Sequence, residues 1–143
     1  MDNKELFYKM VSFTASVHRV TNELTKNAKP DSISQVQYKI LEFIAVNNST
    51  TPSEINDCLN MAFSNTSREL SKLSEKNLIE KIMDSKDRRK QSIRLSDEGK
   101  AVMSEAFAII EARFIDRIQN ASEEDLKDIE YALDTLQNKL FYP

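Results

Sequence analysis

The chain has 143 residues, 40% of them hydrophobic and 30% charged, with a formal net charge of −3. That is room for one ordinary globular domain, and no apolar run approaches the roughly 18–20 residues that a membrane span requires. A single cysteine (Cys58), a single histidine (His18) and a single glycine (Gly99) exclude an internal disulfide, leave too few soft ligands for a structural zinc site, and rule out a glycine-rich phosphate loop, so neither cofactor nor metal is expected.

In chain order, the first segment places Leu6, Met10, Phe13, Val17, Val20 and Leu24 at spacings of three and four, which predicts a helix over about Asn3 to Lys26 with a continuous apolar seam. Met1 to Glu5 lacks the features of a secretory signal, so a cytoplasmic protein is expected. Lys29-Pro30-Asp31 breaks the helix. Ser34 with Gln37 forms a capping-box pattern opening a second helix through Val36, Ile40, Leu41 and Ile44. Thr51-Pro52-Ser53-Glu54 then starts a short helix carrying Ile55, Cys58 and Leu59. Cys58 follows the apolar spacing from Ile55 and is expected to be a buried structural thiol.

After a turn at Asn60-Met61-Ala62, a fourth helix is predicted from about Ser64 to Lys76, with Leu70 and Leu73 inward and Asn77 in the left-handed conformation that ends it. Leu78 to Met83 and Gln91 to Leu95 read as the strands of a hairpin with a charged tip. Ser96 caps a long helix reaching about Asn120, with Met103, Ala106, Phe107, Ile110, Phe114 and Ile118 on one face. Ser122 to Asp125 cap a last helix stepping through Leu126, Ile129, Leu133, Leu136 and Leu140.

The fold class expected is therefore mainly α with one small β-hairpin. Residues 31–98 form a compact helical and hairpin unit, and residues 1–30 and 99–143 form a helical dimerisation region.

Charge is unevenly spread. Between Phe63 and Arg94 lie nine basic residues (Arg68, Lys72, Lys76, Lys81, Lys86, Arg88, Arg89, Lys90, Arg94) against five acidic ones, in a chain that is acidic overall. An acidic body with one basic segment orients a single face toward a polyanion. The third and fourth helices, joined by a tight turn, have the arrangement that sets a recognition helix into the DNA major groove, with Ser64, Asn65, Ser67, Arg68 and Lys72 as candidate contacts. Arginine can bond two guanine acceptors, asparagine can pair with adenine, and serine can bond base or phosphate. Lys86, Arg88, Arg89 and Lys90 crowd one turn, where their repulsion is more easily understood beside an anionic groove.

Asp87-Arg88-Arg89, followed by Leu95-Ser96 and Gly99, resembles the wing signature of the MarR family of winged helix-turn-helix regulators. Ile33-Ser34 with Gln37 and Leu41 resembles that family's second helix, and Leu73 through Asn77-Leu78-Ile79 the end of its recognition helix, with Asn77 standing where glycine is usual. The resemblance implies that Arg89 enters the minor groove, that Asp87 orients it by a salt bridge, that Arg88 and Lys90 contact phosphates, and that Gly99 permits close packing behind the wing. It implies a homodimer formed by the terminal helices, and the residues agree: Leu6, Phe7 and Met10 can pack against Leu126, Ile129, Leu133, Leu136 and Leu140 of a second copy. It also implies a small aromatic or phenolic effector, for which His18 and Tyr38 are the candidate cleft residues.

The function expected is a sequence-specific transcriptional regulator, a repressor, acting on double-stranded DNA at a pseudo-palindromic operator. An enzyme is not expected, since the carboxylates lie on solvated faces and His18 has no nucleophile near it in sequence. The alternative is a winged helix used for protein contacts alone, which would present an apolar or acidic recognition face.

Overall fold

Helix starts in this chain are written in short polar side chains. The computed structural model describes residues 1–83, 86–87 and 91–143. α1 (Asn3–Thr25) opens on Asp2, α2 (Gln35–Asn47) on Ser34, α3 (Pro52–Leu59) on Thr51, and α6 (Glu123–Leu136) on Ser122; in each, the side-chain oxygen accepts the backbone N–H three residues on. In α5 (Asp97–Arg117) Ser96 does the same, its Oγ accepting the Gly99 N–H at 3.0 Å. α4 (Phe63–Glu75) is different: Ala62 stands at its N-cap and supplies no side-chain bond.

The chain divides into two compact units, Met1–Ile110 and Glu111–Pro143. In the first, Ile40, Leu41 and Ile44 of α2, Ile55 of α3, Leu70 and Leu73 of α4, Leu78, Ile79, Ile93 and Leu95 at the hairpin, and Met103 and Ala106 of α5 form one buried cluster. These are the inward residues that helix periodicity and strand alternation assign. Val36 of α2 is exposed, because α2 is buried on the side carrying Tyr38, Leu41 and Ile44. No residue of α1 is buried.

β1 (Ile79–Met83) and β2 (Gln91–Leu95) pair antiparallel, Ile79 opposite Leu95 and Met83 opposite Gln91, within the limits read from the sequence. A bridge that local patterning does not announce joins Thr50, between α2 and α3, to Ile93: Thr50 N–H donates to Ile93 O at 2.9 Å and Ile93 N–H to Thr50 O at 2.7 Å. This ties the start of α3 to the inner strand and occupies the place of a third strand.

In the second unit, α6 continues into a π-helical turn, Gln137–Phe141, where Tyr142 N–H donates to Gln137 O at 2.9 Å. The sequence reading carries one helical stripe through Leu140. The wider π turn interrupts that repeat, so Leu140 departs from the line through Leu126, Ile129, Leu133 and Leu136.

Candidate nucleic-acid interface

The recognition helix is held by three buried residues, Thr66, Leu70 and Leu73, on one side. Its opposite side carries Ser64 and Arg68, flanked by Asn65, Ser67 and Lys72, and all five are exposed. Ser64 and Ser67 are not spent on capping, since the N-cap position is Ala62. Arg68 Nη2 donates to Asn65 Oδ1 one turn back, and Lys72 Nζ lies 3.6 Å from Glu69 Oε1. The result is a row of hydrogen-bonding side chains one turn apart, backed by an apolar anchor.

Two residues of this helix escaped sequence reasoning. Thr66 reads as polar yet is buried, its hydroxyl returned to Ala62 O at 3.4 Å. Phe63 is 70% exposed at the first helical position, and no local signal marks it as outward.

The helix ends as expected. Asn77 has φ of 60°, its N–H donates to Ser74 O at 3.0 Å, and Leu78 N–H donates to Leu73 O at 3.0 Å, the paired bonds of a Schellman motif. The chain then enters β1 directly, so recognition helix and hairpin are joined without slack. Behind this joint stands Gly99, where a Cβ would run into the Leu78 carbonyl oxygen. The close packing implied at Gly99 is thus a backbone contact, reinforced by Ser96 Oγ donating to Asn77 O and Ser96 N–H donating to Leu78 O at 3.1 Å.

On the hairpin, Arg94 Nε donates to Glu80 Oε2 at 2.9 Å across the strands, which neutralises one cation of the basic segment. Lys86 is exposed and Asp87 half-buried. Arg88, Arg89 and Lys90, the other wing candidates, lie outside the described residues.

Cys58 corrects the sequence reading: it is exposed. α3 has only eight residues, and Ile55 is its buried residue. Cys58 instead opens onto a cleft of about 490 Å³ lined also by Val36, Lys39, Leu59, Met61, Asn65, Arg68 and Glu69.

The two effector candidates differ in setting. His18 is exposed on α1, whereas Tyr38 is 4% exposed within the core. No hydrogen bond or ring contact joins them among the described residues. Burial, and after it the Glu42 carboxylate one turn on, hold the Tyr38 phenol well above its ordinary pKa.

The dimerisation candidates lie at the surface of their units. On α1, Leu6 and Phe7 are exposed and Met10 is half-buried; on α6, Leu126, Ile129 and Leu133 are exposed and Leu136 half-buried, with Leu140 exposed in the π turn. Among the described residues no group of three His, Cys, Asp or Glu side chains could hold a metal ion, and no helix is long and apolar enough to cross a membrane.

A helical core, a recognition helix and a hairpin wing packed on one joint define a winged helix-turn-helix protein. Residues 32–90 match the model of the MarR family, in agreement with the resemblance read from the sequence. Among solved structures the fold is shared with the transcriptional regulator BldR from Sulfolobus solfataricus (TM-score 0.70, 18% identity, covering 98% of this chain and 100% of that one). It is shared with a MarR-like transcriptional regulator, tm0816, from Thermotoga maritima (TM-score 0.65, 23% identity, 100% and 99%). A third is a MarR variant from E. coli complexed with operator DNA (TM-score 0.60, 21% identity, 92% and 97%). No curated protein matches the chain in sequence.

Proposed function

We propose that this protein is a sequence-specific DNA-binding transcriptional regulator that acts as a homodimeric repressor on a pseudo-palindromic operator. The observation that carries this reading is the composition of the outward side of α4: Ser64, Asn65, Ser67, Arg68 and Lys72 are all exposed, all able to hydrogen-bond, and mounted on a helix anchored by Thr66, Leu70 and Leu73. The MarR variant of the same fold was solved with operator DNA, which supports the same use of the helix here. The wing residues Arg88, Arg89 and Lys90, with Asp87, add phosphate and minor-groove contacts in this reading. Helices α1 and α6, whose apolar residues stand exposed in the single chain, supply the dimer contact that places two recognition helices on two half-sites.

Release by a small aromatic or phenolic effector belongs to the same reading. It is supported by the Tyr38 hydroxyl, which is buried with no hydrogen-bond partner of good geometry. Cytoplasmic residence follows from the function proposed.

The test is selection of bound fragments from random duplex DNA by the full-length protein. The expected result is enrichment of an inverted repeat with half-sites about one helical turn apart. Absence of any enriched sequence would leave the winged helix as a protein-contact module.

A further inference from the structure

The core of the winged helix contains several buried polar side chains, and that of Gln37 links α2 to α4. Gln37 is 5% exposed. Its Oε1 accepts Ser34 N–H at 3.2 Å, closing the capping box of α2, and also accepts from Lys76 Nζ at 2.9 Å. Its Nε2 donates to Glu69 Oε2 at 3.0 Å. Lys76 Nζ donates further to Ser32 O at 2.6 Å, and the other carboxylate oxygen of Glu69 lies 3.6 Å from Lys72 Nζ.

Capping requires only an acceptor at this position, and glutamate serves there as well as glutamine. The donor half of the Gln37 amide does nothing for α2; it is used on α4. Glu69, Lys72 and the C-cap residue Lys76 are spaced by three and four along one flank of α4, beside the row that carries Ser64 and Arg68. The apolar anchor of α4 is short, and apolar contact is non-directional, so it sets the depth of the helix better than its roll about its own axis. Hydrogen bonds are directional, and two of them a full two turns apart fix that roll. Roll decides which side chains face outward, because successive residues of a helix are about 100° apart.

We propose that Gln37 is a positioning residue for DNA recognition: it sets the roll of α4 by clamping Glu69 and Lys76, and through Glu69 it holds Lys72 in place. The inference rests on the DNA-binding reading above and deepens it, because it assigns part of the sequence preference to a residue that touches no DNA.

The experiment compares full-length variants on the selected operator and on a scrambled duplex, with thermal unfolding recorded alongside. Gln37→Glu keeps the acceptors for Ser34 and Lys76 but removes the donor and sets a carboxylate against Glu69. It is expected to lower the ratio of operator to scrambled affinity about tenfold, the order that one hydrogen bond to a charged group carries. The double variant Gln37→Glu with Glu69→Gln restores the bond with donor and acceptor exchanged, and is expected to recover that ratio to within about threefold. Glu69→Ala breaks the same bond from its more accessible end and is expected to lose selectivity as well, which keeps the test open should Gln37→Glu not fold. Selectivity unchanged in the folded single variants, or lost without recovery in the folded double variant, would overturn the assignment while leaving the DNA-binding reading intact. A wild-type protein without preference for any duplex overturns both.

Discussion

At the scale of single residues, the scarcity of glycine is met by asparagine. Among the described residues, those with positive φ are Asn27, Asn48, Asn60 and Asn77, and they follow or cap the ends of α1, α2, α3 and α4 in turn. Asparagine tolerates the left-handed region because its short amide can bond locally, which lets four helices stop without glycine. The one glycine is used where asparagine could not substitute, since its constraint is space and not φ. Gly99→Ala is therefore expected to destabilise the protein by about 1–3 kcal/mol, as overpacking against backbone does, read as a lower urea midpoint at unchanged slope. Tyr38 gives a pH prediction. Its folded pKa is raised while the unfolded chain titrates near the ordinary value of about 10, so above that pH the unfolded state holds fewer protons and stability falls as pH rises. Tyr38→Phe should flatten this alkaline loss in urea titrations at successive pH values, and should cost little near neutrality because the hydroxyl lacks a good partner.

At the scale of elements, helix starts and the hairpin were legible because their determinants lie within a few residues of one another. Cys58 was not. Periodicity tells which face of α3 is apolar, but the width of that face actually covered depends on where α2 and α4 stand. As an exposed thiol, Cys58 should react fully with an aromatic disulfide reagent in the native protein, at a rate within about tenfold of the urea-unfolded chain; protection by orders of magnitude would return it to the core. If α4 and the wing contact DNA as proposed, they should divide their labour. Arg68→Ala on α4 is expected to cost roughly 1–3 kcal/mol on the operator and to relax one position per half-site. Lys90→Ala on the wing is expected to weaken all duplexes alike and to lower the salt slope by about 0.9 for each phosphate it no longer neutralises. Titrations at several salt concentrations separate the two.

At the scale of the whole molecule, charge and apolar exposure are assigned to different parts of the chain. The basic segment spans α4 and the hairpin, while the first turn of α6 carries Glu123, Glu124 and Asp125. Leu126, Ile129, Leu133, Leu140 and Phe141 are between 39% and 55% exposed. A dimer at micromolar concentration is the expected state by sedimentation, and Leu133→Asp should shift it to monomer with weakened operator binding. A wild type that sediments as a monomer would refute the dimer.

The sequence by itself determined the order of the helices and strands, the inward residues Ile40, Leu41 and Ile44 of α2, Leu70 and Leu73 of α4 and Ile93 and Leu95 of β2, and the exposed set Ser64, Asn65, Ser67, Arg68 and Lys72. Each of these follows from spacing along one segment, from a cap and its partner three residues on, or from side-chain alternation. What only the tertiary structure decided are relations between distant segments: the Thr50–Ile93 bridge, the backbone contact that requires Gly99, the exposure of Cys58, and the second use of Gln37. The capping partner of Gln37 lies three residues away and could be read from the chain, whereas its partners on α4 and at its C-cap lie 32 and 39 residues away. A hydrogen bond of that span leaves no periodicity in the sequence, because it exists only once the core has brought the two helices side by side.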